Sequence, residues 1–175
     1  ASAGLLVVTA GQSVGGPLRP LALLAPRGEG SVGAGPNGFP VNKTAAAAGI
    51  TPEMTGAAWQ LAVVGGEQRL DLGRDELLAL PQHTHELPIS CVEGWSTSQH
   101  WTGVRLADLA ALVGAPDGFA LVAESLQTGG RFRRTTLGHA QASSDRALIA
   151  LRVNGADLSP DHGYPARLIV PALPG

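Results

Sequence analysis

The chain has 175 residues, of which 44% are hydrophobic and 15% are charged, and its formal net charge is -2. That length and composition suit one domain with a hydrophobic core and argue against a wholly disordered chain. The near-neutral charge excludes a strongly basic nucleic-acid binder, so no nucleic-acid partner is expected. One cysteine excludes an internal disulfide framework and any site built from several cysteines.

Residues 1–38 are predicted to be an N-terminal arm and linker. Apolar residues cluster at 5–8 and 21–24, but no run reaches the roughly 20 apolar residues that span a bilayer. We expect either the end of a membrane helix or an apolar arm packed on its own domain. Residues 28–40 contain two overlapping G-x-G-x-x-G matches. No strand precedes these glycines, so a dinucleotide site is not expected.

The first predicted elements after the linker are short. Alternating hydrophobicity over 59–63 predicts a half-buried strand, and 69–72 is its predicted partner strand. Residues 75–80 fit a short helix that ends before a proline. Residues 83–92 are expected to be extended, and the polar residues 96–100 are expected to form a turn.

The second half of the chain contains the most regular helical spacing. Apolar residues over 104–113 predict the best helix, which a Gly and a Pro then end. Strands are predicted at 120–123, 148–153 and 168–170, and Asn154-Gly155 predicts a hairpin turn. The elements do not alternate as βαβ units would. The predicted fold class is therefore α+β, mixed and sheet-rich, with few helices and long loops.

Cys91 follows an extended segment and precedes Val-Glu-Gly-Trp-Ser. Considered alone, a free cysteine is more often a small buried hydrophobe than a site. Trp95, Trp101 and the polar residues between them suit a soft-metal ligand or a nucleophile instead. A nucleophile needs a base, and spacing selects none of the five histidines. A serine nucleophile is disfavoured because residues 94–98 lack the last glycine of G-x-S-x-G.

Two further clusters carry polar side chains. His83 and His85 share one face of an extended strand, as two zinc ligands would, but spacing identifies no third ligand. Arg131, Arg133 and Arg134 follow a Gly-Gly turn. Their guanidinium groups suit a phosphate or oxyanion, and they equally suit a solvated hairpin tip.

The segment 161–167 contains His162 and Arg167 on either side of a glycine and a proline. Both side chains could converge on one anion, or the segment could be a structural turn. The residues alone do not decide between these two interpretations.

Three motifs in order resemble the sulfite oxidase superfamily of molybdopterin-dependent oxidoreductases. They are Cys-Val-Glu-Gly-Trp-Ser at 91–96, Trp-x-Gly-Val-x-Leu-x-x-Leu at 101–109, and Asp-His-Gly-Tyr-Pro-Ala-Arg-Leu-Ile-Val-Pro at 161–171. The resemblance is closest to bacterial members in which such a domain follows membrane helices. It implies a molybdopterin-binding domain over 39–175 with the family's mixed α+β fold. It also implies that the chain stops before the family's usual C-terminal end.

The resemblance implies a molybdenum–molybdopterin cofactor and its contacts. Cys91 matches the family's metal ligand, whose soft thiolate suits molybdenum. His162 and Arg167 match residues that hold the pterin and its phosphate. Weaker alignment adds three further cofactor contacts: Asn42, Lys43 and Ser125.

The implied reaction is oxygen-atom transfer to or from a small-molecule substrate of the sulfur type, as in sulfite oxidation or sulfoxide reduction. Sulfite oxidases place an arginine beside the metal, whereas residues 87–90 contain no basic residue. No haem motif is present in these residues, so electrons are expected to pass to a separate partner, a haem protein or a quinone-linked one, or to a part of the chain outside these residues. The expected location is the extracytoplasmic face of a bacterial cytoplasmic membrane, reached through the parent chain. The alternative function is a cofactor-free binding or structural module on the same fold.

Overall fold

The computed structural model describes residues 35–90, 95–130 and 133–171. This part of the chain contains nine β-strands and three α-helices. The strands are β1 (Gln60–Gly65), β2 (Gln68–Gly73), β3 (His83–Ser90), β4 (Ser96–Arg105), β5 (Leu121–Glu124), β6 (Arg134–Leu137), β7 (Leu148–Val153), β8 (Ala156–Asp157) and β9 (Arg167–Ile169). The α-helices are α1 (Arg74–Ala79), α2 (Leu106–Leu112) and α3 (His139–Ala142), and short 3-10 helices lie at Pro36–Gly38, Ala46–Ala48, Pro52–Thr55 and Pro160–His162.

A five-stranded antiparallel sheet forms the centre of the domain, in the order β3-β4-β7, with β8 and β9 both paired to β7. Trp101 on β4 lies opposite His85 on β3. Ala150 on β7 lies opposite both Gly103 on β4 and Arg167 on β9. Directly paired residues, and residues two apart on one strand, share a face of the sheet. The register therefore places His85 and Trp101 on the same face. Arg167 lies on that face too, because its guanidinium carbon is 5.6 Å from the Trp101 ring centroid.

A hydrophobic cluster covers this face of the sheet. Its buried members are Phe39, Leu87, Ile89, Trp101, Leu148, Ala150, Val153 and Leu158. Trp95, Tyr164 and Ile169 pack against it from the side. The cluster therefore gathers three segments that are far apart in sequence: the N-terminal end of the domain, the residue after the Cys91 loop, and the 161–167 segment.

The β1–β2 hairpin and the helix α1 contribute to a separate hydrophobic cluster. Leu77 of α1 is buried there with Val104, Leu109 and Leu151, and apolar side chains of the hairpin pack against them. The β5–β6 hairpin is a third, separate sheet. These elements cover apolar side chains of the central sheet that would otherwise be exposed to water.

Gly103 marks an irregularity in the pairing of β4 with β7. The register shifts between Thr102 and Gly103. A Cβ atom at Gly103 would collide with the carbonyl oxygen of Ile149 and would lie 2.6 Å from the Cα of Ala150. Only glycine permits this approach of the two backbones. The irregularity lies two residues after Trp101 on β4.

Most of the predicted elements are confirmed. The strands predicted at 59–63, 69–72, 120–123, 148–153 and 168–170 correspond to β1, β2, β5, β7 and β9, and the helix predicted at 75–80 corresponds to α1. Asn154 and Gly155 have φ values of 53° and 81°, as the predicted hairpin turn between β7 and β8 requires. The sheet-rich α+β class is also confirmed.

Two predictions about local structure are wrong. Residues 96–100, expected to be a turn, are the first half of β4. The reason is that the inward positions Thr97 and Gln99 are polar and bond to each other, at 2.9 Å, so no apolar alternation is visible. The helix predicted from residue 104 begins at Leu106, because Val104 and Arg105 still pair with β7.

Within the described ranges, no helix has both the length and the apolar character needed to cross a membrane. The predicted arm lies almost wholly in residues 1–34, outside the described residues. Its relation to a membrane therefore stays a prediction.

Candidate functional site

Cys91 lies outside the described residues, so its role as metal ligand stays a prediction. The structure does define the two strands that flank it. Ser90 ends β3, Ser96 begins β4, and the two residues are register partners in the antiparallel ladder. Trp95, just before β4, packs against the cluster that contains Phe39 and Trp101. The described residues on either side of Cys91 therefore meet this cluster: Ile89 is a member of it and Trp95 packs against it.

The segment before β9 is a tight turn that fixes His162. Ser159 caps the 3-10 helix, because its hydroxyl oxygen accepts a hydrogen bond from the His162 backbone N–H at 3.2 Å. Gly163 follows with φ of 99°, a conformation that favours glycine. The turn thus delivers His162 to the protein interior, where it is only 2% exposed.

Both ring nitrogens of His162 have partners within the protein. Nε2 lies 3.1 Å from the carbonyl oxygen of Pro40, and this oxygen can only accept, so Nε2 carries the proton. Nδ1 lies 3.2 Å from the Ser159 hydroxyl, which can donate to it, and also 3.2 Å from the side-chain oxygen of Asn37. The ring also stacks on Phe39, with centroids 3.7 Å apart. His162 thus joins two distant segments of chain, and its predicted contact with the pterin stays a prediction.

The stability of the folded chain is expected to fall as the pH drops below about 6.5, the ordinary pKa of histidine. Burial lowers the pKa of His162, and the nearby positive charge of Arg167 adds to this effect. The unfolded chain therefore takes up a proton at a higher pH than the folded chain does. The stabilisation that results from the lowered pKa of His162 is fully present above the ordinary pKa of histidine. It is lost as the pH falls toward the lower pKa of the folded chain.

Urea unfolding of wild type and His162→Gln at about pH 7.5 and about pH 5.5 measures this contribution. Wild type should lose more free energy of unfolding between the two pH values than the variant does. Equal losses in the two proteins would contradict the prediction. The carboxyl groups of Asp108 and Asp157 have lowered pKa values, so they titrate below this range.

Arg167 carries a largely desolvated charge. Its Nη1 donates to the carbonyl oxygen of His162 at 3.2 Å, and its Cζ lies 5.6 Å from the ring centroid of Trp101. None of the ion pairs between described residues includes Arg167. Burial lowers its pKa. Arg167 is half-buried, and a partly desolvated guanidinium without a carboxylate among the described residues is costly. Its remaining N–H groups suit an anionic ligand.

The structure brings Asn42 and Lys43 next to this turn. The residues on either side of them are tied to it: Pro40 accepts from His162, and the backbone N–H of Ala45 donates to Asp161 Oδ1 at 2.8 Å. Asn42 and Lys43 are themselves exposed. Two chain segments predicted to contact the cofactor therefore lie side by side, although they are more than a hundred residues apart in sequence.

Ser125 lies at the end of the β5–β6 hairpin. Its hydroxyl oxygen accepts a hydrogen bond from the Gln127 N–H at 3.1 Å, and its own N–H donates to the carbonyl of Arg133 at 2.8 Å. The hairpin end also approaches the N-terminal segment, because a Cβ at Gly49 would lie 2.9 Å from the Thr128 hydroxyl oxygen. Ser125 thus lies in a loop that borders the segment following Lys43.

Of the described members of the arginine cluster, one is held in an ion pair and the other lies exposed on the surface. Arg133 pairs with Glu124 at 2.8 Å on the surface, and Arg134 begins β6 with its side chain exposed. Arg131 lies outside the described residues. The interpretation of this segment as the tip of a hairpin agrees with the β5–β6 pairing.

The two strand histidines do not form a recognisable metal centre. His83 Nε2 lies 3.3 Å from Asp108 Oδ2, and Arg105 binds the same carboxylate through two nitrogens. His85 Nε2 is buried and has no hydrogen-bond partner among the described residues. In the part of the chain that the structure covers, no group of three His, Cys, Asp or Glu side chains could hold a metal ion. The zinc hypothesis thus gains no third ligand there.

Sequence reasoning missed two residues of this site, Asn37 and Phe39. Both fall in a stretch whose glycines and prolines predicted a linker, yet Phe39 is completely buried. The available signals were the Asn-Gly pair, which favours a defined turn, and an isolated aromatic residue in a Gly-rich stretch.

The fold and the site together define a class of protein: a sheet-rich α+β domain with a largely desolvated arginine that has no ion-pair partner among the described residues. The chain belongs to the family of oxidoreductase molybdopterin-binding domains, whose model matches residues 48–175. This match confirms the resemblance inferred from the three motifs. It also confirms the molybdenum–molybdopterin cofactor that the resemblance implies.

Similar proteins agree with this assignment. The chain is 31% identical to the uncharacterized oxidoreductase YuiH of Bacillus subtilis (strain 168), over 66% of this chain and 58% of that protein. It is 30% identical to the mitochondrial sulfite oxidase of Mus musculus, over 71% of this chain and 28% of that protein. The sulfane dehydrogenase SoxCD from Paracoccus pantotrophus superposes with a TM-score of 0.57 at 25% identity, over 66% of this chain and 34% of that chain. The chain thus spans less than two thirds of the length of each.

The described residues fit the anionic part of the cofactor. Arg167 offers unpaired donors, and the exposed Lys43 lies in the neighbouring segment. The thiol expected at the metal is that of Cys91, outside the described residues. These are the donor types that a phosphate and a soft metal require.

Proposed function

We propose that this chain catalyses molybdopterin-dependent oxygen-atom transfer to or from a small sulfur-type substrate. The observation that carries the proposal is Arg167, a half-buried, largely desolvated guanidinium without an ion-pair partner among the described residues. Such a charge is stabilised when an anion such as a phosphate binds it. Because the chain belongs to the molybdopterin-binding family, we infer that this anion is the phosphate of the cofactor.

Each proposed contact has a distinct task. Arg167 binds the phosphate of the cofactor, with Lys43 and Asn42 beside it, and His162 orients Arg167 through its carbonyl oxygen. Ser125 donates a hydroxyl hydrogen bond from the neighbouring hairpin. Cys91 binds the metal through its thiolate. When bound, the cofactor supplies two-electron oxygen-atom transfer.

The substrate class is supported by relatives and by local charge. Sulfite oxidases and a sulfane dehydrogenase are among the similar proteins. Residues 87–90, next to Cys91, carry no charge, and Arg133 is held by Glu124. The absence of a cation in 87–90 favours a neutral sulfur compound, such as a sulfoxide, over the sulfite anion.

The location and the electron partner complete the proposal. The apolar residues at 5–8 and 21–24 support attachment of the parent chain to a bacterial cytoplasmic membrane, with the domain of residues 39–175 on its extracytoplasmic face. Electrons pass to a separate partner, a haem protein or a quinone-linked one. Fractionation of cells that make the parent chain tests the location: recovery in the cytosol would contradict it.

Chemical analysis of protein purified from a molybdopterin-competent host tests the proposed function. We expect molybdenum and pterin in near-equal amounts, approaching one of each per chain. We also expect oxidation of sulfite with an artificial electron acceptor, or reduction of a sulfoxide with a reduced dye. A folded chain that lacks metal and pterin would contradict the proposal and would favour the cofactor-free binding or structural module.

A further inference from the structure

Residues 35–40, which we call the N-terminal strap, cross the loops that precede β8 and β9. We propose that the strap positions Arg167 for the phosphate of the cofactor. This inference rests on the function proposed above and adds to it a positioning element that touches neither the substrate nor the cofactor.

Asn37 anchors the strap to the domain. Its Nδ2 donates to the carbonyl of Asp157 at 2.9 Å, and its Oδ1 accepts from the backbone N–H of Ser159 at 2.8 Å. Asn154 Nδ2 donates to the carbonyl of Asn37 at 3.1 Å. These three bonds join residues 117, 122 and 120 positions apart, so they fix the strap to one place on the turn that carries His162.

Phe39 is the apolar contact of the strap. Its ring stacks on His162 and meets Trp101 edge-on, with centroids 5.8 Å apart and planes at 76°. Pro40 then accepts the hydrogen bond of His162 Nε2. The strap therefore holds His162 on its ring face and at a ring nitrogen, and it also holds the edge of Trp101.

His162 and Trp101 are the same two residues that hold Arg167. The carbonyl of His162 accepts from the guanidinium, and the face of Trp101 lies beneath it. No described carboxylate fixes the direction of the Arg167 fork. Its orientation therefore depends on a carbonyl and a ring that the strap holds in place. Groups that orient a binding residue in this way typically change ligand affinity without touching the ligand.

Retention of pterin by the holoenzyme tests the inference. Protein from a molybdopterin-competent host is dialysed for fixed times, and the remaining pterin is measured by the fluorescence of its oxidised form. The strap variants are Phe39→Leu and Asn37→Gly; glycine tolerates the φ of 58° at position 37 and removes only the side chain. All samples are kept well below their unfolding temperatures, which are measured separately.

The matched control is Phe119→Leu. This is the same chemical change in a different cluster, which contains neither Trp101 nor His162. Strap variants should lose pterin on the order of tenfold faster than wild type, whereas Phe119→Leu should lower the unfolding temperature and leave retention unchanged. A purely structural role of the strap would move the unfolding temperature alone. Asn37→Gly decides the question if Phe39→Leu does not fold.

Arg167→Met separates failure of this inference from failure of the proposed function. If Arg167→Met loses pterin while both strap variants retain it as wild type does, the strap inference is overturned and the proposed function stands. If Arg167→Met retains pterin as well as wild type, or if wild type contains none, the anion site is wrong and the strap inference falls with it.

Discussion

Replacement of Cys91 by serine should leave a folded chain that retains pterin but loses molybdenum. The soft thiolate suits molybdenum, whereas a serine hydroxyl is harder and stays protonated at neutral pH. Loss of an outer-shell partner of a metal site typically costs 10–100-fold in metal affinity or activity, so loss of a direct ligand should cost about 100-fold or more. Elemental analysis and a pterin assay on the same sample measure the two components separately.

Ser98→Ala is the matched control for Cys91→Ser. Ser98 is exposed on β4 of the same hairpin, so this change should leave both metal and pterin at wild-type levels. Equal molybdenum in wild type and Cys91→Ser would contradict the assignment of Cys91. Loss of pterin together with the metal would show that the thiol holds the whole cofactor rather than the metal alone.

The elements that the sequence predicts well have local causes. Alternation identifies β1 and β7, and the Asn154-Gly155 pair identifies the turn into β8, because each depends on neighbouring residues. The sequence predicts a turn for the first half of β4 because the inward positions of this strand carry the polar residues Thr97 and Gln99. These side chains are satisfied by hydrogen bonds to each other and to Asn154, a distant partner that local periodicity does not reveal.

The residues of the candidate site likewise fall into two groups, those that the sequence identifies and those that only the folded chain reveals. The motifs around Cys91 and Arg167 are contiguous in sequence, so their resemblance to a family is visible without a structure. The burial of Phe39 and the bonds of Asn37 depend on contacts with residues near the other end of the chain. The isolation of Arg167 from every described carboxylate is likewise a property of the folded chain. This isolation distinguishes an arginine that binds an anionic ligand from an arginine that forms a structural ion pair.

Arg167→Met should weaken cofactor retention roughly 100-fold while leaving the free energy of unfolding of the cofactor-free chain unchanged or higher. Loss of the charge removes a bond to the His162 carbonyl and a cation–π contact, each worth about 1–2 kcal/mol. It also removes the desolvation cost of a half-buried cation that has no ion-pair partner among the described residues, and this gain offsets those losses. Methionine retains much of the apolar stem beside Trp101, so packing changes little.

Arg74→Met is the matched control, because Arg74 also lies over an aromatic ring but has an ion-pair partner. Its Cζ is 5.2 Å from the Tyr164 ring centroid, and its Nη2 is 2.7 Å from Asp157 Oδ1. Loss of the ion pair between Arg74 and Asp157 should destabilise the cofactor-free chain by about 1 kcal/mol or more and leave pterin retention intact. Chemical unfolding of cofactor-free protein and pterin assays of holoenzyme give both quantities for each variant. If Arg167→Met is destabilised as much as Arg74→Met and retains pterin, Arg167 is a structural residue. A residue that serves only to bind the cofactor is expected instead to lower the free energy of unfolding of the cofactor-free chain.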